Sequence, residues 1–352
     1  MLIEGIARIN DEAAYMLRGV EVRPGDVLLN ITGDSIARCT VVDPTVLPAR
    51  VSQHVAIIRP TDDLNPVFLQ KYLTHPTFKK YMLSLSSGGT RAALTKGQIE
   101  NFVVPCPPRW EQDAIAAVLG ALDDKIAVNE RIARASDELC GILLQRLLKR
   151  DEDVRVVPLG EIAAVNKQSV KPVPGGHLRY IDISSISAGR VEWPERSSWD
   201  DAPGRARRGV SRGDTIWSTV RPGRRSYALV LDDDPELVVS TGLAVLTPRT
   251  VGPAFLYEVT KRDEFVEYLE SVAEGSAYPA VRADRFAQAL VPLPSLSGLK
   301  EFEDQAMALR YRAHTADVES RSLAKLRDTL LPGLMSGAIR VGEAEKAVEE
   351  AT

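Results

Sequence analysis

Three cysteines in 352 residues leave little room for sulfur chemistry. Cys39, Cys106 and Cys140 are scattered and form no CxxC pair, so neither a disulfide scaffold nor a cysteine metal site is expected; they read as reduced packing residues. Histidine is nearly as scarce. His54, His75, His177 and His314 stand alone and no HExxH occurs, so no metal site is expected. There is no GxxxxGK(S/T) loop and no GxGxxG after a strand, which removes the usual cradles for nucleotide phosphates. No catalytic constellation emerges, and a free-standing enzyme is disfavoured. No apolar run approaches the roughly 18 residues that span a bilayer. Met1-Leu2-Ile3-Glu4 carries an early acid and no basic flank, unlike a secretory signal. A cytoplasmic protein with no membrane partner is expected.

What is present is ordinary in bulk and uneven in detail. The chain is 44% hydrophobic and 26% charged, with a net charge of −4. A net negative charge weighs against nucleic-acid binding, but distribution matters more than the sum. Arg205, Arg207, Arg208, Arg212, Arg221, Arg224 and Arg225 fall in one stretch whose only acid is Asp214. Acids gather elsewhere, at Asp123-Asp124, Asp151-Glu152-Asp153, Asp232-Asp233-Asp234 and the C-terminal tail.

The strongest signal is an internal repeat, which organises everything else. The stretch from Ser87 to Pro108 and the stretch from Glu274 to Pro294 follow one plan: a glycine-containing loop, a short helix, two apolar strand residues and Pro-x-Pro. Upstream, Gly25-Asp26-Val27-Leu28-Leu29 pairs with Gly213-Asp214-Thr215-Ile216-Trp217, and Val51–Pro60 pairs with Val239–Pro248, at an offset of 188. Phe68-Leu69 pairs with Phe255-Leu256, and Phe78/Tyr81 with Phe265/Tyr268. By this spacing Met1 corresponds to about residue 189, whereas the second copy begins near Val157. About thirty residues, equivalent to Leu159–Ala188 with the strand-like Leu178–Ile183, have no counterpart at the front of copy one.

Strands are expected at Val27–Ile31, Ala37–Val42, Val55–Ile58 and Val103-Val104, and helices opening at Asn65-Pro66 and Pro76. From Trp110 to Leu148 the period becomes helical, with Ile115, Val118, Leu119, Leu122, Ile126, Ile132, Ala135, Leu139, Ile142 and Leu143 as one stripe. Such a helix is on the order of 55 Å long and calls for an equally long partner. Leu299–Leu331 offers it, with Phe302, Ala306, Leu309, Ala313, Ala316, Leu323, Leu326 and Leu330, and Pro332 is expected to end it. Both stripes falter, at Asn129 and near Ser320; these polar residues either pin the register or drift off the seam. The tail from Gly342 to Thr352 is expected to fray.

The junction Pro107-Pro108-Arg109-Trp110-Glu111-Gln112 is followed by Leu122-Asp123-x-Lys125-Ile126-x-x-Asn129. The close is Leu326-Arg327-Asp328-x-Leu330-Leu331-Pro332-x-Leu334-x-Ser336-Gly337-x-Ile339-Arg340-Val341. With two globular repeats, each followed by a long helix, the chain resembles the specificity subunit of type I restriction–modification systems over nearly its whole length. It departs in the short front of copy one and at the second junction, Pro294-Ser295-Leu296-Ser297. The resemblance implies a mixed α+β fold with two pseudo-repeated α/β target-recognition domains joined by two long antiparallel helices forming a coiled coil. The boundaries are 1–108 and 155–296 for the recognition domains, 109–150 and 298–341 for the helices, and 342–352 for the tail.

It further implies a non-catalytic subunit that reads a bipartite target on double-stranded DNA. Its partners would be two modification subunits that methylate adenine, and restriction subunits. No cofactor belongs to this chain; S-adenosylmethionine, ATP and Mg are expected on the partners. Matched loops supply the candidate DNA contacts: Asn30, Thr32, Arg38, Thr90, Arg91 and Lys96 in copy one, and Ser218, Arg221, Arg224, Arg225, Tyr278 and Arg282 in copy two. Arginine suits both guanine edges and phosphates. Arg205, Arg207 and Arg208 are expected at phosphate or solvent. A degenerate cassette serving only as a scaffold is the alternative.

Overall fold

The computed structural model describes residues 7–86 and 93–351. The chain divides into two units, Met1–Asn129 with Val318–Thr352, and Glu130–Asp317.

The first unit begins with α1 (Asp11–Met16), capped by Asn10. Its sheet comprises β1 (Val27–Asn30), β2 (Cys39–Val41) and β3 (Val55–Ile58), antiparallel in the order β2-β1-β3. Strand alternation turns Val27 and Leu29 inward. They pack with Leu69 and Leu73 of α2 (Pro66–Thr74) and with Phe78 and Met82 of α3 (Pro76–Ser86). The Asn65 carboxamide accepts from the N–H groups of Val67 and Phe68, so α2 opens at the expected Asn-Pro pair. After α4 (Lys96–Glu100), opened by a Thr95/Gln98 capping box, comes α5 (Arg109–Arg150).

The second unit continues with β4 (Arg155–Pro158), α6 (Leu159–Ile162), β5 (Ala163–Val165) and β6 (His177–Ile181). Next are the hairpin of β7 (Ile186–Ser187) and β8 (Arg190–Val191), then β9 (Arg196–Ser198) and β10 (Ala206–Gly209). They are followed by β11 (Thr215–Ser218), β12 (Tyr227–Leu229), β13 (Leu237–Ser240) and β14 (Leu243–Pro248). One sheet runs β10-β13-β6-β9, the other β12-β11-β14-β5. The helices α7 (Pro253–Thr260), α8 (Asp263–Ser271) and α9 (Ala283–Gln288) cover the second sheet through a core containing Trp217, Phe255, Tyr257 and Phe286. Then β15 (Leu290–Leu293) pairs with β4 and leads into α10 (Leu296–Ser336). The chain closes with α11 (Val341–Ala351) in the first unit.

The repeat holds at the level of single hydrogen-bonded partners. Val27 lies opposite Ile58 and Val41; Thr215 lies opposite Leu246 and Leu229, each 188 residues on. The left-handed residues recur too, at Gly33 and Ala37 in copy one and at Arg221 and Arg225 in copy two.

The helices pair antiparallel within each unit. In the first, Asp123 meets Arg327 (2.7 Å) and Lys125 meets Glu319 (3.3 Å). In the second, Asp137 meets Arg310 (2.8 Å), and the Cys140 thiol donates to the Ala306 carbonyl (3.7 Å). Asn129 is on the seam, 2% exposed, with its amide donating to Glu319 at 2.7 Å. In the second unit Ser136, Cys140 and Leu144 of α5 are buried, while Leu139 and Ile142, expected inside, are half exposed. The small polar Ser136 occupies a buried position that an apolar count skips.

Three further expectations are corrected. Pro332 lies inside α10, which runs to Ser336 because Leu330, Leu331 and Leu334 bury against the first unit. The acidic tail is helical: Glu343 accepts from the Arg340 N–H, and Ala344 and Val348, four apart, face the same core. Val103-Val104 forms no strand, and Val103 is 82% exposed. Its counterpart β15 is a strand because β4 pairs with it, and the first unit has no such partner among the described residues.

Candidate nucleic-acid interface

In each unit the loop following the central strand is tied to the loop preceding the short helix. In the first unit the Leu94 N–H donates to Ile31 O (2.9 Å), and Thr32 bridges to Ala93. In the second the Val281 N–H donates to Thr219 O (2.8 Å), and Val220 bridges to Ala280. Neither tie involves side-chain identity, so both loops can vary while their placement is kept.

The second unit carries the denser cationic group. The loop from Thr219 to Ser226 contains a 3-10 turn, Pro222–Arg224, between Arg221 and Arg225 at φ 51° and 55°. A side chain other than glycine in this region is strained, roughly 1–2 kcal/mol each, and such strain concentrates at working sites. The Arg221 N–H donates to Pro279 O (2.7 Å), its guanidinium donates to Ala277 O (3.1 Å), and its Cζ lies 4.5 Å from the centre of the Tyr278 ring. Tyr278 is 71% exposed, so a cation–aromatic pair faces solvent. Arg224 is exposed, and no ion-pair partner of it is found among the described residues. Arg225 is paired with Asp263, and Arg282 with Glu274 (3.0 Å). A cleft of about 300 Å³ lies between Arg221, Arg224, Glu270, Ala273 and Pro279.

Ser218 is not available: it is 1% exposed, its hydroxyl donates to Val220 O (2.8 Å) and it serves the turn. Arg208 is internal as well, half buried and donating to Asn166 and to Leu243 O, so it braces β10 and β14 and is corrected from the phosphate-or-solvent group. Arg207 donates to Ala206 O (2.7 Å), and Arg205 is exposed.

In the first unit Arg38 is exposed, and Lys96 is exposed beside Glu100 (3.5 Å). Asn30 holds its own turn, donating to Ser35 Oγ (2.7 Å) and accepting from the Thr32 N–H (3.3 Å). The Thr32 hydroxyl meets His54 Nδ1 at 2.7 Å. Thr90 and Arg91 lie outside the described residues. His54 was missed as a neighbour of this loop. The available signal was its place in the matched Val51–Pro60 segment, where copy two has Gly242. Glu270 and Glu274, which temper the charge of the arginine loop, left no signal of that role in the sequence.

Residues 30–135 match the family described as the type I restriction modification DNA specificity domain. The type I restriction enzyme HindI specificity subunit of Haemophilus influenzae is 32% identical over 119 residues, 33% of this chain and 26% of that protein. The MjaVIII specificity subunit of Methanocaldococcus jannaschii is 21% identical over 289 residues, 75% of this chain and 68% of that protein. The chain thus spans about a quarter of the first relative and two thirds of the second. The crystal structure of a type I restriction–modification S subunit from M. genitalium superposes with a TM-score of 0.56 over 90% of this chain and 84% of that one, at 17% identity, a likeness of fold. The resemblance read from the sequence motifs is borne out: this chain is similar to the specificity subunits of type I restriction–modification systems.

Proposed function

We propose that the chain is the non-catalytic DNA-specificity subunit of a type I restriction–modification complex. Each unit would read one half of a split target on double-stranded DNA. The chain would dock adenine-methyltransferase subunits, which bring S-adenosylmethionine, and restriction subunits, which bring ATP and Mg. It would work in the cytoplasm.

The observation that carries the reading is the pair of loops held by matching backbone ties in two units whose sheets share one register. A scaffold that fixes the backbone and leaves the loop side chains variable is what sequence readout requires, because base contacts specify while phosphate contacts position. Arg221, Arg224 and Tyr278 are the leading contacts in the second unit; Arg38 and Lys96 are the exposed cations proposed in the first.

The test is to co-express the chain with its modification subunit and map methylated adenines by sequencing. A split motif with a fixed gap is expected. A one-sided or palindromic motif would remove the first unit from the reading, and absence of methylation would favour a silent scaffold. Arg221→Ala with Arg224→Ala should weaken specific binding and flatten its salt dependence by about two ionic contacts. An unchanged slope would dismiss the arginine loop.

A further inference from the structure

The contact of each repeat with the helix that follows it is keyed by charge, and the key is reversed between the copies. In the first unit Lys71 of α2 is 8% exposed and paired with Asp123 of α5. In the second, Glu258 of α7 is 2% exposed and paired with Arg310 of α10, itself 8% exposed. These are equivalent positions: α2 and α7 begin at Pro66 and Pro253, α5 and α10 at Arg109 and Leu296, and both pairs of starts are 187 residues apart. Lys71 therefore maps onto Glu258, and Asp123 onto Arg310. Cation on repeat and anion on helix in one copy become anion on repeat and cation on helix in the other.

The surroundings reinforce the reversal. Asp123 is held from the far side by Arg327 (2.7 Å). Arg310 is held by Asp137 (2.8 Å), which also takes Lys261 (2.6 Å), and its guanidinium lies 4.6 Å from the centre of the Tyr257 ring. Desolvation offsets most of the attraction in such pairs, so their contribution to stability is small. Mispairing is different. A repeat set on the other copy's helix would bring Lys71 against Arg310, or Glu258 against Asp123, and bury two like charges.

We infer that these two seats are recognition surfaces, each accepting a helix of one charge and rejecting the other. They would determine which repeat can be combined with which helix, within one chain or when a segment is supplied by a second copy. The preference would act through repulsion in the wrong pairing more than through attraction in the right one.

Four single substitutions in the full chain mimic the wrong pairings: Lys71→Glu, Asp123→Arg, Glu258→Lys and Arg310→Asp. Each should lower the melting temperature by on the order of 10 °C, or abolish folding. The two pairs reversed together with their flanking partners, Lys71→Glu and Asp123→Arg with Arg327→Glu, and Glu258→Lys and Arg310→Asp with Asp137→Lys and Lys261→Glu, should each recover at least half of the loss. An apolar pair, Lys71→Met with Asp123→Leu, should melt within a few degrees of the native chain. Reversed pairs no better than the single variants would overturn the inference. An apolar pair as damaged as the single variants would show plain stabilisation and overturn it as well. Neither readout involves DNA, so both stand apart from the proposed function.

Discussion

At the start of α2 the Asn65 side chain satisfies two backbone N–H groups. At the start of α7 the equivalent residue is Gly252, which has no side chain to offer. Glu303 of α10 reaches in instead, accepting from the Ala254 and Phe255 N–H groups at 2.9 and 3.0 Å. An added Cβ at Gly252 would land on that carboxylate, so the glycine admits the substitute cap. A second contrast lies at the Gly-Asp turn. Asp26 and Asp214 both accept the N–H three residues before them, from Arg23 (2.6 Å) and Ser211 (2.8 Å). Asp26 also carries a two-pronged Arg59, both bonds 2.7 Å, where the second copy has Thr247. Burial works against both carboxylates. At Asp26 the arginine and the turn N–H outweigh it and hold the group below its usual range, while at Asp214 burial prevails and pushes it up. Identical hydrogen-bond frames can thus be closed by different side chains, and the frame is what the repeat preserves.

The contrast can be broken most sharply at Arg59. Arg59→Ala leaves a buried carboxylate with only its turn N–H and should destabilise the first unit more than any other change in this series, read by chemical denaturation at pH 7. Asp214→Asn should be neutral or stabilising. Next comes the borrowed cap: Glu303→Ala and Gly252→Ala should each cost about 1–2 kcal/mol, and Asn65→Ala about 1 kcal/mol. Equal losses in a Gly252→Ala, Glu303→Ala double variant and either single one would confirm that both act through one cap. Arg221→Gly should stabilise the second unit by about 1 kcal/mol by relieving left-handed strain, while weakening the proposed DNA binding.

The smallest effect is in pH. Asp26 has a lowered folded-state value, so its contribution is present above the unfolded carboxylate range and is lost as pH falls through the folded value. Asp214 has a raised value, so its penalty at neutral pH is relieved as pH falls through that value. Asp214→Asn should therefore hold its advantage at pH 7 and lose it on mild acidification. The deficit of an Asp26→Asn variant should persist until pH drops below the ordinary carboxylate range.

Much of the frame was legible in the sequence because it rests on backbone signals. Asn65-Pro66 and Pro76 opened helices where expected, and Val55–Ile58 is a strand with the anticipated ends. Val103-Val104 failed because a strand depends on a partner, which local pattern does not reveal. The acidic tail failed because Ala344 and Val348 are too sparse to register as a stripe, yet suffice once a core faces them. At the interface, arginine density pointed to the Arg221–Arg225 loop but not to the counter-charges Asp263 and Glu274, which come from other elements. Ser218 was misassigned because equivalence with Asn30 fixed its place on the strand, not the direction of its hydroxyl.

The three thiols differ in a way that bears on experiment. Burial pushes Cys39 up to about 12 and raises Cys140, so both stay protonated at neutral pH, whereas Cys106 is exposed just ahead of α5. A maleimide dye should therefore attach at Cys106 in the native chain without further engineering, giving a reporter in the first unit that leaves the arginine loop of the second untouched.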